Sequence, residues 1–324
     1  MRIARLKPAD ADPHGTYYHL LNRIAGIPGE FPFADVEKEM FIRLMKKLAG
    51  LYTLDLLAWQ VMGNHFHLVV FAPANPPSPE EAARRFAAYH QSKRFVDPAS
   101  SQGEQLAARL RDISWFMHDL QQQFACWYNR TRPARRRGML WGNRFKSVVL
   151  EGAIAVWECI KYVELNSVRA KLVQDPADYR FGSWGEWNGT GIHPHAAALL
   201  RHLRYNLGEH TATWSLDDCQ RELRMELARV SVGEAHGTTE QIEAAMTAAA
   251  ATPAPLLTLH RRVRHWSDGL IIGTKLFIRS NLGAVLPTER LARHQYPPAI
   301  RFTQGMATAS PPICAWRRLR PTAD

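Results

Sequence analysis

Val61-Met62-Gly63-Asn64-His65-Phe66-His67-Leu68-Val69-Val70 places two histidines around one bulky apolar residue, inside a run that otherwise reads as a buried strand. Side chains alternate faces along a strand, so His65 and His67 share one face and Phe66 takes the other. Two neutral imidazoles on adjacent pleats are a chelating geometry for a divalent metal, although a hard ion such as Mg²⁺ also takes oxygen ligands. The plain alternative is a pair of half-exposed strand histidines. Gly63-Asn64 has turn chemistry, so residues 53–62 and 65–71 read as antiparallel neighbours.

Outward from this hairpin, Tyr17-Tyr18-His19-Leu20-Leu21-Asn22-Arg23 reads as a first strand, with His19 either on the metal face or in the core. Residues 34–50 are helical by the spacing of Phe41, Leu44 and Leu48, with Gly50 as a stop. Ser78-Pro79-Glu80-Glu81 is a helix start, with a serine cap and proline in the first turn. A longer helix is expected over 105–129, where Ile113, Phe116, Leu120, Phe124 and Trp127 form a core-facing stripe. Residues 143–150 read as a fourth strand and 152–170 as a helix. Tyr162 and Asn166, four residues apart, then share one helix face. Tyr162 can reach a site from there, or serve as an ordinary interface tyrosine.

This order predicts an α+β chain. Residues 1–187 are expected to form a ferredoxin-like four-stranded antiparallel sheet with helices on one face, the other face being open to solvent or a partner. Residues 188–295 read as a mainly helical extension, with an alanine-rich helix end and linker at 243–256. Its basic-aromatic cluster Arg261-Arg262-Val263-Arg264-His265-Trp266 is either a DNA-binding element or a packing helix. Residues 296–324, rich in proline and arginine, are expected to be a disordered basic tail.

The formal net charge is +11, which points to a polyanionic partner, nucleic acid being the commonest. Charge concentrates between residues 130 and 146, where Arg130, Arg132, Arg135, Arg136, Arg137, Arg144 and Lys146 occur with no acidic residue. Guanidinium forks can neutralise phosphates, and the interleaved Trp141 offers a face for base stacking. The plain alternative is a solvated basic loop. The four scattered cysteines suggest neither a disulfide framework nor a zinc knuckle. No stretch has signal-peptide character or the ~18 apolar residues of a membrane span, so the expected setting is cytoplasmic and nucleoid-associated, without a membrane partner.

Four segments taken together carry a family resemblance. They are Met62-Gly63-Asn64-His65-Phe66-His67, Gly138-Met139-Leu140-Trp141-Gly142-Asn143-Arg144-Phe145-Lys146-Ser147, Lys161-Tyr162-Val163-Glu164-Leu165-Asn166-Ser167-Val168-Arg169-Ala170 and Tyr179-Arg180-Phe181-Gly182-Ser183-Trp184. In this order they resemble the REP-associated tyrosine transposases, a branch of the single-tyrosine HUH superfamily, over residues 14–187. The resemblance implies that His65 and His67 hold Mg²⁺ or Mn²⁺. It implies that Tyr162 attacks a phosphate of single-stranded DNA, becoming joined to the 5′ phosphate and freeing a 3′ hydroxyl. Asn166 is implied as a third ligand, with capping of the helix end as its competing role. Arg135, Arg136, Arg137, Trp141, Arg144, Lys146 and Arg169 are the implied DNA-binding residues. The implied substrate is a REP-like palindromic hairpin, and strand transfer, which needs two cuts, implies a homodimer.

The chain departs from the family pattern at Gly63 and Ser167, where the family usually has proline; neither change removes a reacting group. Three other readings stand beside this one. A hairpin-binding DNA or RNA protein that no longer cuts would keep the basic segment. Replication initiators and relaxases also use His-apolar-His and Tyr, but segment 162–170 and the lack of a helicase motif point away from them. A water-using metallohydrolase needs a carboxylate-rich site, and no such spacing is present.

Overall fold

The computed structural model describes residues 6, 14–26, 31–132, 139–152, 154–193, 195–206, 211–234, 263–283 and 313–317. Strands β1 (Gly15–Arg23), β2 (Asp55–Val61), β3 (His65–Pro73) and β4 (Lys146–Leu150) carry the histidine hairpin. β2 and β3 pair antiparallel across Gly63-Asn64, and Met62 N donates to His65 O at 2.8 Å to close the turn. β1 runs antiparallel to both β3 and β4.

The sheet does not stop at four strands. β5 (Gly269–Thr274) joins β4 in parallel, and β6 (Ile313–Arg317) joins β5 antiparallel. The order is β2-β3-β1-β4-β5-β6. The expected four-stranded ferredoxin-like sheet is therefore corrected: among the described residues it has six strands. The mainly helical extension also supplies β5, and the tail expected to be disordered supplies a strand at 313–317. An unpaired β4 edge would expose a row of main-chain donors and acceptors. Leu270, Ile271 and Ile272 suit a strand covered on both sides, and all three are buried.

Helices cover both faces, not one. On the first face lie α1 (Asp35–Leu51), α2 (Pro79–Tyr89), α3 (Ser101–Leu110) and α4 (Ile113–Arg130). Phe41, Met45 and Leu48 of α1 and Phe116, Leu120 and Phe124 of α4 belong to one core with Leu20, Phe66, Leu68 and Val70. On the second face lie α5 (Ile154–Glu164), α6 (Asn166–Arg169), α7 (Ser183–Thr190), α8 (Ala196–Asn206) and α9 (Leu216–Glu234). Ile160 and Val163 of α5 share a core with Tyr17, Val69 and Val148, and with Trp184, Leu203 and Leu223. β1 and β3 are apolar at odd and even positions alike, so each face needs cover. Every Val, Leu or Phe so buried contributes roughly 1.5–3 kcal/mol.

Ser78 caps α2 as expected, its Oγ accepting from Glu81 N at 3.2 Å. The helix read over 105–129 is two, because Asp112 caps a new start by accepting from Ser114 N at 2.6 Å. The helix read over 152–170 is also two, broken at Leu165 (φ −86°, ψ 0°). Two further elements are α10 (Val263–Ser267) and α11 (Lys275–Gly283). The alanine-rich stretch 243–256 lies outside the described residues.

Candidate functional site

β3 opens with His65 and His67, and the register sets Arg23 of β1 opposite His65 and Leu21 opposite His67. His19 therefore falls on the same sheet face as His67, as its diagonal neighbour. The His19 and His67 rings stack at 5.0 Å between centroids, with 15° between planes. His19 is fully buried behind His67, so it occupies both places its sequence left open, the histidine face and the core.

α5 crosses this face and delivers Tyr162. Its ring meets His67 edge-on at 5.6 Å and His19 at 5.7 Å. Tyr162 is only 1% exposed, and burial raises the pKa of its phenol, with the Arg169 guanidinium opposing. That guanidinium lies 4.6 Å from the ring centre, while Arg169 Nη1 donates to Tyr162 O at 2.9 Å. Arg169 thus braces Tyr162.

His65, His67, Tyr162 and Asn166 line one cavity of about 470 Å³, together with Arg23, Arg144, Lys146 and Ser267. Asn166 Nδ2 donates to Tyr162 O (3.1 Å) and Val163 O (3.3 Å), so the side chain does cap the end of α5. Its Oδ1 lies 3.5 Å from Arg169 Nη1. The two residues do not share one continuous helix face; the break at Leu165 brings both to the cavity.

The imidazoles are neutral. Burial lowers His65 to about 4, with Arg23 adding to the effect, and takes His67 well below its ordinary value. Asn64 Oδ1 lies 2.7 Å from His65 Nδ1. An amide oxygen only accepts, so His65 carries its proton on Nδ1 and keeps a lone pair on Nε2. His67 Nδ1 lies 2.9 Å from His19 Nε2, so it too is engaged, leaving Nε2. Among the described residues no group of three or more His, Cys, Asp and Glu side chains could hold a metal ion. The side chains on this cavity that could offer donors to one are the His65 and His67 imidazoles and the Asn166 amide oxygen.

Of the basic segment, Arg144 and Lys146 reach the cavity. Lys146 also pairs with Asp268 at 2.8 Å. Trp141 is half-buried. It packs edge-on to Phe66 at 5.5 Å and against Phe33, Phe41 and Phe124, and its Nε1 donates to Gln121 O at 3.0 Å. Arg135, Arg136 and Arg137 lie outside the described residues. Sequence reasoning missed Arg23, Ser267, Asp268 and Trp266, whose ring stacks on Tyr162 at 5.3 Å. Arg23 had a signal, being in strand alternation with His19. Trp266 stood out only as part of the basic-aromatic cluster 261–266, with nothing to link it to Tyr162, and Ser267 and Asp268 had no signal, since only the β4–β5 pairing brings them here.

No family model matches the sequence, and no curated protein matches it. Among solved structures, the chain is similar to a REP-associated tyrosine transposase bound to a REP hairpin, at 13% identity and a TM-score of 0.39. The match covers 60% of this chain and 89% of that one. At this distance function rests on the geometry of the site itself. Among the described residues no helix is long and apolar enough to cross a membrane.

Proposed function

We propose that this chain is a metal-dependent endonuclease and strand transferase for single-stranded, REP-like palindromic DNA hairpins, with Tyr162 as its nucleophile. The observation that carries the reading is the meeting of His65, His67 and Tyr162 around one cavity with Arg23, Arg144 and Lys146 in its lining. The cationic side chains hold backbone phosphates, and the neutral imidazoles leave lone pairs for a cation.

Tyr162 Oη attacks the phosphorus, the P–O3′ bond breaks, and the 3′ oxygen takes up a proton as the phenol gives one up. The product is a 5′-phosphotyrosine ester and a free 3′ hydroxyl. Attack by a 3′ hydroxyl on that ester rejoins strands without ATP, because the ester conserves the bond energy. Burial keeps the phenol protonated at neutral pH, so its proton leaves only as the new bond forms. His65, His67 and Asn166 would hold Mg²⁺ or Mn²⁺, which would supply Lewis-acid withdrawal of charge from the phosphate. One tyrosine holds one DNA end, so two-ended transfer takes two copies of the chain.

The burial of Tyr162 favours a second reading, a hairpin-binding protein that does not cut. Labelled hairpins copied from palindromes flanking the gene separate the two. In Mn²⁺, wild type is expected to leave a covalent adduct on the 5′ side of the cut, absent in Tyr162→Phe and His67→Ala and abolished by EDTA. Tight binding with no cut supports the second reading. A cut that survives Tyr162→Phe overturns the mechanism.

A further inference from the structure

We infer that Trp266 is a positioning residue for Tyr162, so that the C-terminal extension completes the nuclease site; the inference rests on the nuclease reading and specifies how its nucleophile is aimed. Tyr162 sits in the last turn of α5, which ends at Glu164. Side-chain direction is loosely held where a helix stops, because the last carbonyls lack intrahelical partners. Here Arg169 Nη1 and Asn166 Nδ2 satisfy the Tyr162 carbonyl, which steadies the backbone but not the ring.

The ring is seated by other contacts. His19 and His67 touch its edge, the Arg169 guanidinium lies over it, and the Trp266 indole stacks at 5.3 Å with 22° between planes. Of these, the indole is the broad apolar plate that lies along the ring face and limits its swing about χ1, and hence the position from which Oη meets a phosphorus. An in-line displacement tolerates little error in that position, and a misplacement of about 1 Å can cost on the order of a hundredfold in rate.

Trp266 is itself firmly held. It is 0% exposed and meets His19 edge-on at 6.4 Å. Beyond it, Asp268 pairs with Lys146 of β4, and Ile271 of β5 pairs with Val149 of β4. A Cβ on Gly269 would fall 2.0 Å from His265 O and 3.1 Å from Val148 Cγ1, so the chain turns into β5 at close quarters. The pairing of β5 with β4 thus sets the indole against the tyrosine, and Ser267 beside it joins the cavity lining.

The test uses the full chain with Trp266→Leu, which keeps an apolar side chain without an aromatic plate, and Trp266→Phe, which keeps a plate. Trp266→Leu is expected to slow single-turnover adduct formation on a labelled hairpin in saturating Mn²⁺ on the order of tenfold or more, while Trp266→Phe recovers most of the rate. Hairpin Kd, read by fluorescence anisotropy, is expected to stay within about twofold in both, since indole loss removes no phosphate contact. With 3-fluorotyrosine incorporated, the ¹⁹F resonance that disappears in Tyr162→Phe is expected to shift in Trp266→Leu, reporting the lost ring current without any reaction. Adduct formed by wild type and by Trp266→Leu at equal rates, or an unmoved ¹⁹F resonance, overturns this inference alone. Absence of adduct from wild type overturns the nuclease reading and this inference with it.

Discussion

Nδ1 of His67 lies 2.9 Å from Nε2 of His19, both rings being buried. An imidazole whose Nδ1 is engaged offers a cation only its Nε2, so a residue from β1 selects the nitrogen that β3 presents. Asn64 does the same for His65. Both imidazoles thus have Nδ1 occupied before any ion arrives, and Asn64 fixes the tautomer of His65.

His19→Phe keeps the ring volume and removes the partner nitrogen. Loss of such an orienting partner typically weakens metal affinity by about 10–100-fold. Calorimetric titration with Mn²⁺ is expected to show a weakening in that range with the fold retained by circular dichroism. Unchanged affinity would separate His19 from the metal.

Arg144 is exposed on the cavity lining and is expected to act through phosphates alone. Arg144→Ala should weaken binding to every hairpin alike and make the salt dependence shallower by about 0.7–1 in log–log slope. Anisotropy titrations from low to moderate salt check both. A change confined to one hairpin sequence would mean that Arg144 reads bases.

Trp141→Ala is expected to destabilise the chain by about 3 kcal/mol, since the indole fills an aromatic cluster and donates to Gln121 O. Trp141→Phe should lower the urea midpoint less and leave hairpin affinity unchanged. A loss of affinity in Trp141→Phe with stability intact would support the base-stacking role.

Burial raises the Glu164 carboxyl from 4.5 to about 8, against hydrogen bonds from Ser183 Oγ and Trp184 N. The folded chain therefore keeps a proton that the unfolded chain releases. Stability from this group is full below pH 4.5, declines above it by roughly 1.4 kcal/mol per pH unit, and is gone once pH passes about 8. Glu164→Gln is expected to flatten that decline and to be more stable than wild type near pH 9. Parallel stability–pH profiles for the two proteins would rule this out.

Period-two alternation in β1 and β3 was legible, and with it the shared face of His65 and His67. So were the Gly63-Asn64 turn and the Ser78 cap, because each depends on chemistry within a few residues. The second helical layer was not. β1 and β3 are apolar on both faces, a pattern that demands cover without naming the helices that provide it. Trp141 shows a different failure. Its basic neighbours suggested an exposed strip, while its place beside Phe33, Phe66 and Phe124 follows from packing at long sequence separation.

By itself the sequence determined which residue types could do chemistry and which strand face the two histidines share, because strand geometry is local. Only the tertiary structure decided that Tyr162 and Asn166 reach that face across a helix break, and that His19 rather than solvent lies behind His67. It alone placed Trp266 on Tyr162 and extended the sheet to six strands. Those relations depend on which edges pair and which apolar faces are buried together, and such choices are settled by the whole core at once.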